Sequence, residues 1–108
     1  MKITLYKVLL IFVLLTGFSR CEKEQEPKIY IPDKNFLNSL IEQGVDTNGD
    51  GIISPFEAEI FTSLNLYRDS IADMTGIDAF VNLDTLICSY NRLTNLDVTK
   101  NTSLKYLD

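Results

Sequence analysis

Apolar residues are spaced in three different ways along this chain of 108 residues. An unbroken apolar run occupies residues 8–15. Between residues 33 and 64 the apolar positions recur at the spacing of one helix face, and beyond residue 64 leucine recurs in a pattern that repeats after 21 to 22 residues. These changes of period predict a leader segment, a helical part and a repetitive part, in that order.

The helical part is predicted to contain two helices. Asp33 follows Pro32 and is a suitable N-cap, which predicts a first helix from Asp33 to about Val45. Ser54 and Glu57 have the spacing of a capping box and predict the start of a second helix. The apolar positions of these helices are Phe36, Leu37, Leu40 and Ile41 in the first, and Phe56, Ile60 and Leu64 in the second.

The stretch of residues 46–57 between the two helices carries oxygen-bearing side chains at alternating positions. Calcium takes about six to eight oxygen ligands, and a loop of about twelve residues wraps it when oxygens fall at positions 1, 3, 5, 7, 9 and 12. Gly51, at position 6, suits the sharp turn. The predicted Ca²⁺ ligands are Asp46, Asn48, Asp50, the backbone carbonyl of Ile52, Ser54 and both carboxylate oxygens of Glu57.

Ordinary turns and helix capping offer a second explanation of the same residues. Asn-Gly and Asp-Gly pairs form turns, and Ser54 with Glu57 caps a helix without any metal. This explanation does not account for three alternating oxygen donors, the glycine and the glutamate occurring together between two amphipathic helices. The calcium interpretation is therefore preferred, and Glu57 begins the second helix under either one.

The repetitive part fits the leucine-rich-repeat pattern L-x-x-L-x-L-x-x-N-x-L. Asn91 is expected to hydrogen-bond backbone groups beside its strand, and Asp69 to do so one repeat earlier. Cys88 is expected to fill an interior position as a small apolar residue, with a reactive thiol as the alternative. The repeat positions are Leu64, Leu66, Asp69, Ile71 and Met74, then Leu83, Leu86, Cys88, Asn91, Leu93 and Leu96, and finally Leu104 and Leu107.

We therefore predict an α+β fold in which a helix-loop-helix cap (residues 29–63) is followed by the start of a leucine-rich-repeat solenoid (residues 64–108). Repeats bury their apolar faces only by stacking, and about three or more units with caps are needed. Two repeats and a fraction are too few, so the helical unit is expected to cover the open edge of the first strand. Because the last repeat is incomplete, the chain is expected to be an amino-terminal fragment.

The first 28 residues are predicted to be an export signal and a tether. Basic residues precede the apolar run, as in a signal peptide, here residues 1–20, and a polar tether follows at residues 21–28. Phe18-Ser19-Arg20-Cys21 resembles a bacterial lipobox, which implies that Cys21 is acylated. The chain is then an exported outer-membrane or cell-surface lipoprotein that meets the membrane only through its lipid anchor. A secreted protein is the alternative.

The charge and the composition exclude several classes of function. From Cys21 onward the chain has seven basic and fifteen acidic residues, a net charge of −8, so nucleic acid is not an expected partner. The sequence contains no histidine, which removes imidazole-based catalysis and histidine-ligated zinc. If Cys21 is acylated, Cys88 has no disulfide partner. We therefore do not expect an enzyme.

Two resemblances extend this interpretation. Residues 46–54 look like the calcium loops of EF-hands and dockerins, although dockerins carry two such loops and one is present here. Residues 29–108 resemble the amino-terminal part of bacterial surface proteins with leucine-rich repeats. In those proteins an Ile-Pro-Asp helix, a calcium loop and repeats containing Leu-x-Cys-x-x-Asn occur in this order, and many more repeats follow.

The expected function is that of a calcium-binding, non-enzymatic surface module. Its calcium loop would stabilise the cap, and its repeat surface would bind a protein or glycan ligand. The alternative is a dockerin-like adaptor, or the amino-terminal part of an extracellular enzyme.

Overall fold

The computed structural model describes residues 27–108. The predicted signal peptide, Cys21 and most of the tether lie outside the described residues. In the described part, no helix is both long and apolar enough to span a bilayer. The elements are α1 (Lys34–Glu42), α2 (Pro55–Ile60), β1 (Ser63–Asn65), a 3-10 helix (Ile77–Ala79), β2 (Thr85–Ile87) and β3 (Tyr106–Leu107).

Helix α1 begins where the sequence predicts and ends earlier. The side chain of Asp33 accepts hydrogen bonds from the backbone N–H groups of Asn35 and Phe36, as an N-cap does. At the other end Gly44 has a φ of +87°, and the N–H of Val45 bonds to the carbonyl of Leu40 at 3.1 Å. This is a Schellman motif, so the helix stops at Glu42 and Val45 turns back into the core.

Helix α2 differs from the prediction in its length and in its buried face. The capping box of Ser54 and Glu57 is present, as predicted. The helix ends after six residues, however, because Phe61 is extended and leads into β1. Phe56 and Ile60 are therefore 66% and 67% exposed, while Glu57 and Ala58 are the buried residues. The predicted apolar stripe of this helix is wrong, and the third member of that stripe, Leu64, lies in β1.

The three strands form one parallel sheet in the order β1-β2-β3. Leu64 pairs with Leu86, which in turn pairs with Leu107, so the spacing of 22 and then 21 residues is the structural register. Leu64 and Leu86 are fully buried. The predicted fold class is confirmed for the repeat part, which is a leucine-rich-repeat type of solenoid fragment with parallel strands.

Asn91 joins the two repeats through backbone groups, as predicted. Its Nδ2 donates to the carbonyls of Leu66 (2.7 Å) and Cys88 (2.8 Å), and its Oδ1 accepts from the N–H groups of Asp69 (3.0 Å) and Ile71 (2.9 Å). The equivalent role predicted for the Asp69 side chain is not seen within residues 27–108. Asp69 takes part instead through its backbone N–H, because Asn91 reaches across from the following repeat.

Candidate functional site

The helical unit covers the free edge of β1 through one side chain of the Schellman turn. Gln43 Nε2 donates to the carbonyl of Asn65 at 2.9 Å, and Gln43 Oε1 accepts from the N–H of Asn65 at 3.1 Å. A neighbouring strand would satisfy the same two backbone groups. The side-chain amide therefore ends the sheet in place of a further strand.

Asp33 ties the cap to the first repeat as well as starting α1. While Oδ1 caps the helix, Oδ2 accepts from the N–H groups of Ala72 (2.8 Å) and Asp73 (3.0 Å). Burial opposes ionisation of this carboxyl, but the hydrogen bonds from Ala72, Phe36, Asp73 and Asn35 keep its pKa below the ordinary value. The ionised form therefore stabilises the junction.

The segment before α1 packs closely against a glycine of the first repeat. The N–H of Ile29 bonds to the carbonyl of Ile53 at 2.8 Å, which fixes the segment to the cap. Gly76 has a φ of +109°, and a Cβ there would lie 2.9 Å from Ile31 Cγ1 and 3.0 Å from the Tyr30 carbonyl oxygen. Only glycine fits this approach without displacement of the neighbouring segment.

The first half of the 46–57 loop is organised by side chains that accept from loop N–H groups. Asp46 Oδ1 and Asn48 Oδ1 both accept from the N–H of Asp50, at 3.3 and 3.2 Å, so these two oxygens lie near each other. Asp46 Oδ2 accepts from Gly51 at 2.8 Å. Asn48 Nδ2 donates to Asp50 Oδ2 at 3.3 Å. Three of the six predicted calcium ligands are thus brought together.

Glu57 closes the loop through backbone hydrogen bonds. Its Oε1 accepts from the N–H of Ser54 (2.9 Å), and its Oε2 accepts from the N–H groups of Thr47 (2.9 Å) and Asn48 (3.3 Å) and from the Thr47 hydroxyl (3.1 Å). Burial opposes ionisation of Glu57, but the bonds from Ser54, Asn48 and Thr47 keep its pKa below the ordinary value. The carboxylate fastens the end of the loop to its beginning.

The loop therefore has the oxygen donors that calcium needs but not a converged set of acidic groups. Within residues 27–108, no cluster of three or more histidine, cysteine, aspartate or glutamate side chains is arranged to hold a metal ion. Ser54 Oγ accepts from the Glu57 N–H at 3.2 Å, and Ile52 is 37% exposed. These contacts are the hydrogen bonds that the turn and capping explanation requires. The oxygen atoms of the loop are also the ligand type that a hard cation binds.

The sheet has one face whose side chains are exposed or half-buried. Along β1 the residues alternate between exposed, buried and exposed, and β2 follows the same alternation with half-buried outer residues. In register, one row across the sheet has Ser63, Thr85 and Tyr106, and the next has Asn65 and Ile87. We call these five residues the open face.

Two tyrosines and an arginine form an exposed cluster that the sequence analysis missed. The rings of Tyr67 and Tyr90 meet edge to face, with centroids 5.3 Å apart and planes at 72°. The guanidinium carbon of Arg68 lies 5.3 Å from the Tyr67 centroid and 5.1 Å from that of Tyr90. Tyr67 and Arg68 follow β1 and Tyr90 follows β2, which could have been recognised from the offset of 22 residues.

The chain is similar to a bacterial repeat protein over about two thirds of its length. It is 40% identical over 73 residues to Internalin J of Listeria monocytogenes, and the match covers 68% of this chain and 8% of that protein. The chain thus spans less than a tenth of the relative that it matches. No protein-family model matches the chain.

Solved structures show the same relationship in three dimensions. The functional domain of InlJ from Listeria monocytogenes, described as including a cysteine ladder, matches with a TM-score of 0.58 and 38% identity, over 68% of this chain and 16% of that one. The described chain is an internalin-like leucine-rich-repeat domain. The structure of CBM51-2 and INT domains from Clostridium perfringens ZmpB matches with a TM-score of 0.66 and 31% identity, over 81% of this chain and 18% of that one.

A further internalin supports the fold alone. The inlF protein of Listeria monocytogenes matches with a TM-score of 0.55 and 20% identity, over 70% of this chain and 23% of that one. Within residues 27–108 of this internalin-like domain, Cys88 is the single cysteine, and it is 8% exposed. Burial and the charge of Asp108 raise the pKa of its thiol, which fits the predicted interior role and not a reactive one.

Proposed function

We propose that this internalin-like domain is a non-enzymatic binding module at the bacterial cell surface and that its open face binds a protein ligand. The observation that carries the proposal is the way the cap meets the sheet. Gln43 covers the edge of β1 and leaves the face of the sheet exposed. Repeat proteins use such rigid, extended sheet surfaces for recognition. The similarity to Internalin J supports the same role.

A binding screen with two matched variants tests this proposal. The full chain would be presented to an array of purified extracellular proteins and, on a second array, of glycans. Ile87→Arg places a charge on the open face, whereas Val81→Arg places one at an exposed aliphatic residue outside the sheet. We expect protein binding that Ile87→Arg abolishes and Val81→Arg leaves intact. Binding that only Val81→Arg removes, or binding to no array member, contradicts the proposal.

We further propose that the 46–57 loop binds calcium and that the ion stiffens the cap. Asp46, Asn48, Asp50, Ser54 and Glu57 supply side-chain oxygens, and Ile52 its carbonyl. Extracellular EF-hand sites bind with a Kd of about 10⁻⁴ to 10⁻³ M, so calcium in the millimolar range would occupy such a site. The support is the convergence of the Asp46 and Asn48 oxygens on one N–H group.

Calcium titration calorimetry on the full chain tests the loop separately from the open face. Asp46→Asn and Glu57→Gln keep the size of each side chain but remove its charge and exchange one acceptor oxygen for an NH₂ donor, so the Tm of each variant is first compared with that of the wild type in the absence of calcium. We expect heat of binding and a higher Tm with calcium for the wild type, and at least a tenfold weaker affinity for either variant, since calcium affinity follows ligand charge. Isotherms that are identical for all three proteins contradict a calcium loop.

We also propose that the domain reaches the cell surface through acylated Cys21, after removal of residues 1–20, with residues 21–28 as a tether. The support is the lipobox-like sequence that precedes the cysteine. Mass spectrometry of the membrane fraction would show the acyl chains on the wild type and their loss in Cys21→Ser. Recovery of an unmodified wild-type protein from the medium contradicts the anchor.

A further inference from the structure

The cluster of Tyr67, Arg68 and Tyr90 lies at the margin of the open face. Tyr67 is two residues beyond Asn65, and the residue between them, Leu66, is buried. Tyr67 lies in the turn that follows β1, and its side chain is exposed beside the end of that strand. The N–H of Arg68 bonds to the carbonyl of Ser89 at 3.2 Å, so the backbone that carries the cluster is held between repeats.

The backbone conformation under the cluster is unfavourable for the residues present. Arg68 and Tyr90 both have a φ of +62°, in the left-handed region that glycine and asparagine tolerate best. The two residues occupy equivalent positions 22 residues apart. The same strained backbone conformation thus occurs at two residues with large exposed side chains, which indicates that these side chains have a function.

The cluster has the composition of a protein-binding hot spot. Tyr67 is 44% exposed and Tyr90 is 71% exposed, and tyrosine and arginine are enriched among the residues that dominate the binding energy of protein interfaces. The guanidinium of Arg68 lies over both rings, with its carbon 5.3 Å and 5.1 Å from the two centroids, so one face of each ring is already occupied and less ring surface is open to a stacked sugar. The geometry therefore favours a protein side chain over a glycan.

The charge of the cluster indicates what it binds. The guanidinium of Arg68 lies over the two rings and not against a carboxylate of residues 27–108. The same residues hold twelve acidic and six basic side chains, so the cluster is a local positive spot on an acidic domain. A single carboxylate beside an apolar side chain suits it, whereas a polyanion would be repelled by the surrounding carboxylates.

We propose that Tyr67, Arg68 and Tyr90 form a hot spot that binds an aspartate or glutamate side chain of a protein partner. The guanidinium pairs with the carboxylate, and the tyrosine rings contact its apolar neighbour. This inference rests on the proposed function of the open face. The partner would place a carboxylate side chain at one margin of that face.

Nuclear magnetic resonance titration of the full chain tests the hot spot with defined probes. The first is the capped tripeptide leucine-glutamate-leucine, the second is its glutamine counterpart, and the third is an oligogalacturonate as an acidic glycan. We expect saturable shifts at Tyr67, Arg68 and Tyr90 with the glutamate peptide, and about tenfold weaker binding of the glutamine peptide. Arg68→Gln should abolish this difference, whereas Tyr30→Asn, at an exposed tyrosine of the cap, should preserve it.

Four results would overturn the proposal. Equal binding of the two peptides would show that the site does not recognise the carboxylate. Tighter binding of the oligogalacturonate would show that the site prefers a glycan. A Tyr90→Asn variant should keep its Tm within about 3 °C of the wild type, since an exposed contact is exchanged for lower backbone strain. A fall of more than about 10 °C would show that the cluster serves folding. If Ile87→Arg abolishes protein binding and Arg68→Gln does not, the hot spot fails while the open face stands.

Discussion

The side-chain amide of Gln43 occupies the place of a strand beside Asn65. Its nitrogen donates to the Asn65 carbonyl and its oxygen accepts from the Asn65 N–H. An amide carries one donor and one acceptor group in the same plane as a peptide unit does, so it can satisfy both groups at once. The Schellman turn after α1 places Gln43 at this edge. The end of the helix and the end of the sheet are thus one structural feature.

Replacing Gln43 by alanine is expected to weaken the whole domain. Two hydrogen bonds at an exposed sheet edge are lost, and each contributes about 1 kcal/mol net, so unfolding free energy should fall by about 1 to 2 kcal/mol. Urea denaturation followed by circular dichroism measures this. Glu42→Ala, at the exposed preceding residue of the same helix, is the control and should change stability by less than about 0.5 kcal/mol. Equal losses of unfolding free energy for both variants would show that the Gln43 amide contributes no more to stability than the exposed Glu42 side chain.

Gly76→Ala should separate a steric effect from a conformational one. The added Cβ at Gly76 meets Ile31 and the Tyr30 carbonyl, and the backbone is left-handed. We expect a loss of about 3 kcal/mol, of which about 1 to 2 kcal/mol is the left-handed backbone. Gly44→Ala has a similar φ and no neighbour within 4 Å, so it should show only the backbone part. Thermal melts that give equal losses at both sites would contradict the close approach of the segment before α1.

Asp33 should make the stability depend on pH in the acidic range. Its pKa is lower in the folded chain than in the unfolded chain, where it has the ordinary value of 3.8. Its contribution is therefore full above that value and is lost as the pH falls through the folded pKa. The stability difference between wild type and Asp33→Asn should be largest at neutral pH and shrink below about pH 4. Glu42→Gln is the control, and a difference for Asp33→Asn that is constant with pH would contradict this role.

Asn91→Asp should be strongly destabilising although it changes only one group. The variant keeps an acceptor for the Asp69 and Ile71 N–H groups but faces the Leu66 and Cys88 carbonyls with an oxygen. We expect a loss of about 3 kcal/mol at pH 7 in urea denaturation. Asn95→Asp, at an exposed residue, is the control and should be close to neutral. Similar behaviour of both variants would argue against a link between repeats.

Local and periodic features of the fold could be predicted from the sequence. The Asp33 cap, the capping box of Ser54 and Glu57, and the pairing of Leu64 with Leu86 follow from spacing alone. Asn91 was predictable because it stands at the asparagine position of the leucine-rich-repeat pattern. In the 46–57 loop the donor residues were evident, but the hydrogen bonds of Glu57 to Thr47 depend on the three-dimensional path of the loop.

Long-range and conformational features could not be predicted in this way. The contact of Gln43 with Asn65 spans 22 residues and depends on where a helix ends. The exposure of Phe56 and Ile60 follows from the early turn of the chain into β1, which the apolar spacing does not encode. The cluster at Tyr90 depends on a left-handed backbone that tyrosine itself does not favour.

The central claim is that the cap and the repeats form one folded unit joined at Gln43 and Asn65. Native-state hydrogen exchange on the full chain tests it most directly. We predict that the amides of Val45 in the cap, Asn65 at the edge and Asp69 in the repeats exchange with the same free energy, equal to that of global unfolding. In Gln43→Ala, exchange of the Asn65 amide should become much faster than that of Asp69. Cap amides that exchange at a clearly lower free energy than repeat amides in the wild type would contradict the claim.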